Sequence, residues 1–288
     1  MSIPRKGLSI KLAYFLADQS WACDTTGPST AQLVMLRGCK VNADGSLSQY
    51  GDPRIYTDRY DDVLVVFGQK SGGQPYLEMF RATAKPGLAW IKHPTYAASN
   101  RGCPTVQPGQ YQYQRGPHRN HPEAMRQVYK QPVVVIRDLD DDTKLELTDL
   151  VDYPWDTGIN IHAGGRSEKV GLNSSGCQVL WGGWDGEPWL RFHKLIYSVA
   201  KKQQVFRYTL VDFAMFADWH DAGALKPRHL LFGSAGQAVR DLQKTLGDGG
   251  FFGQALIDGK FGRGTDRALR GWQRNRYEMP TGIIRRRA

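Results

Sequence analysis

In the stretch "GINIHAGGRSEKVGLNSSGCQVL", residues 158–180, His162 and Cys177 stand fifteen positions apart, each close to glycine. A cysteine attacks a carbonyl carbon as its thiolate, and a neighbouring imidazole can take the proton that must leave. Consecutive backbone N–H groups in a glycine turn can hold the oxyanion that results. Cys177 is therefore the candidate nucleophile and His162 its base, with Gly164, Ser175 and Gly176 forming the turn and oxyanion positions. A lone cysteine is usually a small core residue, and a lone histidine a hydrogen-bonded one. The paired spacing and the glycines favour acyl-transfer chemistry here.

Other residues suggest rival chemistries. In "YLEMF", Glu78 shares a strand face with Tyr76 and Phe80. If that face is inward, burial would raise its pKa, as the general acid of a glycosidase requires. Otherwise it is an exposed edge-strand glutamate. His118 and His121 in "GPHRNHPE" have ligand-like spacing, but no His-Glu-x-x-His pattern accompanies them, so they are assigned to a polar loop. In "DLDDDTKLELTD" (138–149), Asp138, Asp140 and Asp142 occupy the first, third and fifth positions of a calcium loop, with Leu145 eighth and Asp149 twelfth. Thr143 takes the sixth, where glycine makes the sharp turn, so a solvated acidic turn is expected. No metal and no cofactor is expected.

The elements that would hold these residues are mostly strands. Short apolar or alternating runs at 62–68, 76–83, 110–114, 132–138, 158–164 and 204–213 are separated by Gly, Pro and Asp. Helical pattern is sparse, with candidates at 122–130 ("PEAMRQVYK") and 188–202 ("PWLRFHKLIYSVAKK"). This predicts a mainly β domain with a few helices over residues 1–225, followed by a linker in "ADWHDAGALKPR" (217–228). The whole chain, 288 residues with 41% hydrophobic content, can bury a real core. The early apolar run "LAYFLA" is too short to span a bilayer, and no cleavage site follows it, so no signal peptide is read. Four scattered cysteines with no Cys-x-x-Cys pair fit neither a disulfide scaffold nor a zinc ribbon, and point to a reducing cytosol as the place of synthesis.

Residues 228–288 form a second, basic unit. Ten Arg and two Lys stand against five Asp and Glu, so seven of the chain's ten net positive charges lie there. Such a surface attracts polyanions, from nucleic acid to wall polymers, and charge alone does not choose among them. Ser234 is a candidate N-cap for a helix carrying Val239, Leu242 and Leu246 and stopped by Gly247. Thr265 opens a second helix with Ala268, Leu269 and Trp272 on one face, and "DGKFG" turns between the two.

The strings "GSAGQAVRDLQKTL", "IDGKFGRGTDRALRGWQ" and "TGII" resemble, in that order, the three-helix peptidoglycan-binding domain attached to bacterial cell-wall enzymes. The resemblance implies a small all-α domain that binds bacterial peptidoglycan rather than nucleic acid, with Asp258, Phe261, Trp272 and Gln273 as wall-binding residues. Upstream, the chain resembles the L,D-transpeptidase family, whose signature is His-x-Gly, a loop, then Ser-His-Gly-Cys-x-Arg. His162, Gly164, Ser174, Gly176 and Cys177 match it; Ser175 replaces the second histidine and Val179 the arginine. The blocks "FRATAKPG", "VQPGQYQYQRGPH", "VIRDLDDD", "GINIHAGG", "VGLNSSGCQV" and "FRYTL" resemble a phage- and prophage-associated group related to that fold. Together these resemblances imply an endolysin-like, monomeric peptidoglycan hydrolase that cuts the peptide stem without inserting in membranes. It would be made in the cytoplasm and reach the wall after release. The alternatives are a muramidase using Glu78 and a wall-binding protein without catalysis. Losing two polar groups of the transpeptidase site favours hydrolysis over cross-linking.

Overall fold

The computed structural model describes residues 2–93, 102–138, 142–146, 150–155, 158–223, 228–276 and 278–286. Its centre is a closed eight-stranded barrel. In spatial order the strands are Ile161–Ala163, Gln178–Leu180, Pro75–Thr83, Asp62–Gln69, Gln32–Arg37, Phe206–Asp212, Gly109–His118 and His121–Gln127. The pairing of Ile161 with Met125 closes the ring. Two neighbouring pairs are parallel, Ile161–Ala163 with Gln178–Leu180 and Gln32–Arg37 with Phe206–Asp212; the remaining pairs are antiparallel. Six α-helices accompany the strands among the described residues.

Period-two alternation builds two cores on opposite faces of the same strands. Leu33, Met35, Leu64, Val66, Phe80, Ile161 and Leu180 belong to the inner cluster. Val34, Leu36, Val63, Val65 and Phe67 point the other way, where the helices Leu8–Asp18 and Phe213–Asp221 cover them. Phe15 meets Phe216 and Trp219 edge-on at 5.3 and 5.5 Å between ring centres. Each such side chain, wholly buried, contributes about 1.5–3 kcal/mol of transfer free energy.

The expected strands at 62–68, 76–83, 110–114 and 204–213 form, and shorter ones form within 132–138 and 158–164. The helix expected at 188–202 is present as Glu187–His193 running into a π-helical turn, Lys194–Val199. Arg115, on the Gly109–His118 strand, donates to the carbonyls of Ile196, Ala200 and Gln203 and so caps that turn against the barrel. Two expectations for the N-terminal 225 residues fail. Residues 122–130 hold no helix: His121–Gln127 is the return strand of a hairpin, paired from Tyr113 with Gln127 to His118 with His121. Burial of Ala124 and Met125 against the barrel outweighs the helical preference of "PEAM". Residues 217–221 are the end of a helix whose Ala217 and Trp219 are buried, so a linker does not start at 217.

The basic C-terminal residues form two α-helices, Gln237–Asp248 and Arg263–Asn275, one 3-10 turn, Gln254–Leu256, and a two-stranded ribbon, Arg228–Leu230 with Ile284–Arg286. Two helices and a ribbon therefore stand where three helices were expected. Val239, Leu242, Leu246, Ala268 and Leu269 face inward as the spacing requires. Gly236, not Ser234, precedes the first helix; Ser234 is buried, and its hydroxyl donates to the Gln19 carbonyl at 3.0 Å. The unit docks on one side of the barrel. Phe232 stacks on Tyr111 with ring centres 5.5 Å apart, and the Tyr153 hydroxyl donates to buried Asp266 at 2.6 Å.

Candidate active site

His162 lies in the middle of a three-residue strand. Ile161 and Ala163 belong to the inner core, so alternation turns the imidazole to the outer face, beside its register partner Val179. Cys177 is the residue just before the paired strand, so the parallel pairing brings it next to His162. A third side chain joins them. His118 ends the neighbouring hairpin strand, and its ring stacks on His162 with centres 3.9 Å apart and planes 15° from parallel. One nitrogen of each histidine and the Cys177 sulfur all lie within 4.8 Å of one another.

The surrounding bonds fix these groups. His162 Nδ1 is 2.8 Å from the Ala163 carbonyl, so it carries the proton, and Nε2 is left as the basic lone pair. The Asn160 N–H donates to Cys177 Sγ at 3.4 Å, while the thiol donates to the Gly158 carbonyl at 3.4 Å. The Asn160 side-chain amide lies 2.9 Å from His118 Nδ1. Burial pushes the Cys177 thiol up to about 11, against a weaker opposing pull from the Asn160 N–H and the Arg119 charge. Burial also lowers His162 to about 3 and His118 to about 4, with nearby positive charges adding to the effect. At neutral pH the pair is thus thiol and neutral imidazole.

The cluster forms the floor of an open cleft of about 150 Å³, walled by Arg119, His121, Leu172, Asn173, Ser175 and Trp184. His121 stacks on Trp184 with ring centres 3.7 Å apart. Gly158 and Asn160, which bond Cys177, also line a second cavity of about 270 Å³ whose wall includes Tyr129 and Trp155. Those two aromatic side chains are exposed and meet edge-on at 5.4 Å.

The glycines of the motif have structural work. Gly176 has φ +133°, and a side-chain carbon there would lie 2.6 Å from the Pro104 carbonyl. Its N–H donates to Ser174 Oγ at 3.1 Å, so it is not free for an oxyanion. The Cys177 N–H makes no backbone hydrogen bond among the described residues. A side-chain carbon at Gly164 would meet the Tyr60 hydroxyl and Val179, so close approach dictates that glycine. Ser175 lines the cleft, whereas Val179 is buried in the barrel wall.

Glu78 is not brought to this cluster. It lies five residues from Thr83, the partner of Val179, or about 16 Å along the strand. It is partly exposed and ion-paired with Arg191 at 2.9 Å, without the burial that a general acid requires. Of the residues implied to bind wall, Asp258 is exposed and Trp272 half-buried. Phe261 and Gln273 are buried: Phe261 packs in the core, and Gln273 bonds Thr281, Gly282 and Ile283 to hold the closing turn. Asp140 and Asp149 of the acidic loop lie outside the described residues. No helix among the described residues is long and apolar enough to cross a membrane.

His118, Asn160, Arg119 and Trp184 were not assigned to the site from sequence. "HRNH" carried the signal, because a two-residue turn returns the strand and Arg119 takes the left-handed conformation at φ +51°. Comparison with known proteins yields no matching family model, no matching curated protein and no matching solved structure.

Proposed function

We propose that the protein is a cysteine hydrolase of the bacterial cell wall that cuts the peptide stem of peptidoglycan. The observation that carries this reading is the convergence of Cys177, His162 and His118 within 4.8 Å on the floor of an open cleft. As sulfur attacks the scissile carbonyl, the thiol proton passes to His162 Nε2 and the Cys177 N–H receives the oxyanion. Collapse expels the amine, which takes the proton back from the imidazolium. Water then attacks the thioester, giving its proton to His162, and the thiol is restored with release of the acid. The adjoining cavity with the Tyr129–Trp155 pair suits a polymer longer than the reacting peptide. The basic charge of the C-terminal residues and their sequence resemblance to a peptidoglycan-binding domain support the choice of polymer.

The reading favours hydrolysis without cross-linking, because buried Val179 offers no charge to hold an acceptor strand. The test is mass spectrometry of fragments released from purified sacculi. Wild-type protein should yield new amine and carboxyl ends in the stem, and Cys177→Ala should yield none. Glycan cleavage that persists in Cys177→Ala would replace this reading with a glycosidase.

A further inference from the structure

We propose that His118, His162 and Cys177 form a zinc-binding site, with its fourth position open to the cleft, and that zinc held there masks the nucleophile. The masking rests on the cysteine-hydrolase reading; the site itself does not. Two imidazoles and a thiol without a carboxylate suit zinc rather than calcium or magnesium. Zinc bonds of about 2.0–2.3 Å place tetrahedral ligand atoms roughly 3.3–3.7 Å apart. The three present atoms, all within 4.8 Å of one another, need to close by only about 1 Å.

Each ligand also has the outer bond that metal sites use to aim it. The Ala163 carbonyl holds His162 Nδ1–H and leaves Nε2 to ligate. The Asn160 N–H points at Cys177 Sγ and would stabilise a thiolate. The Asn160 side chain faces His118 Nδ1, yet its buried Oδ1 has no hydrogen-bond partner among the described residues. With that amide turned over, Oδ1 accepts the Nδ1–H of His118 and frees its Nε2 for metal. Parallel stacked rings aim their lone pairs side by side, so one ring must tilt. His118, half-buried at a hairpin end, can do so; His162 is buried within a strand. On binding, the thiol proton is released to solvent and the Cys177–Gly158 bond is exchanged for sulfur–zinc.

The test titrates metal-free full-length protein with cobalt(II) and then zinc. One equivalent of cobalt should give thiolate-to-metal charge-transfer absorption, which zinc removes. Cys177→Ala should abolish that band, and His118→Ala should weaken zinc binding at least tenfold, the lower end of what losing even an outer-shell partner costs. Zinc at one equivalent should stop release of wall fragments, and a chelator should restore it. Absence of the band, or a band unchanged in Cys177→Ala, overturns the site. Faster wall cleavage with zinc than without it overturns the masking and the thiol nucleophile together. An intact cobalt band, together with no cleavage of wall peptide by the metal-free protein, would leave the site standing and remove the hydrolase reading.

Discussion

A thiol held up near 11 beside an imidazole held down near 3 differs from a pre-formed thiolate–imidazolium pair. Alkylation of Cys177 by iodoacetamide should therefore be slow at pH 7, rise steadily above pH 9 and show no step near pH 6.5. Peptide mapping that followed Cys177 separately from half-buried Cys23 would check this, and rapid labelling at pH 7 would contradict it. His162 and Cys177 were legible as a pair because both sit in glycine-flanked motifs. Their tautomer and protonation were not, since these depend on the Ala163 carbonyl and on burial. Glu78 shows the converse: its strand face was read correctly, but alternation gives the direction of a side chain and not the depth or the partner. Arg191, 113 positions away, supplied the partner.

At the scale of the element, the site depends on two three-residue strands in parallel register and on a hairpin end. Gly164 anchors the first of these. Gly164→Ala should cost about 1–3 kcal/mol by overpacking, because the new carbon would strike the Tyr60 hydroxyl and Val179. Equilibrium unfolding in urea checks that figure, and a neutral result would mean the strand pair can shift without cost. The strands were visible as β-branched and aromatic runs, and the hairpin was not. "PEAMRQVYK" has helical composition, and only pairing with residues 113–118 makes it a strand. His118 was set aside as a polar-loop residue for the same reason, since register is a long-range property that local propensity does not carry.

At the scale of the molecule, the C-terminal unit is bound to the barrel by the Tyr111–Phe232 stack and to the chain just after the Leu150–Asp152 strand by the Tyr153–Asp266 bond. The charge boundary near residue 228 was legible, but this docking was not, because it joins residues 113 positions apart. Tyr153→Phe leaves the buried Asp266–Arg270 pair without its third member and should cost about 1.5–3 kcal/mol, read from denaturant unfolding.

Acid acts on the whole fold. His118, His162 and His229 are held at about 4, 3 and 4, below the ordinary 6.5, chiefly by burial. The unfolded chain binds protons that the folded chain refuses, so stability is full above pH 6.5. It then falls as pH drops through the folded values near 4 and 3. Thermal melting from pH 8 to pH 3 should show that decline, and His229→Gln should flatten part of it without touching the cleft. An unchanged melting temperature across that range would mean these histidines charge freely in the folded state.

The most direct measurement is the set of fragments that metal-free protein releases from purified sacculi, resolved by mass spectrometry for wild type and Cys177→Ala. Cleavage confined to the peptide stem, absent in Cys177→Ala and without new cross-linked dimers, is the predicted result. Fragments cut in the glycan strand, or the same fragments from both proteins, would contradict a thiol hydrolase at this cleft.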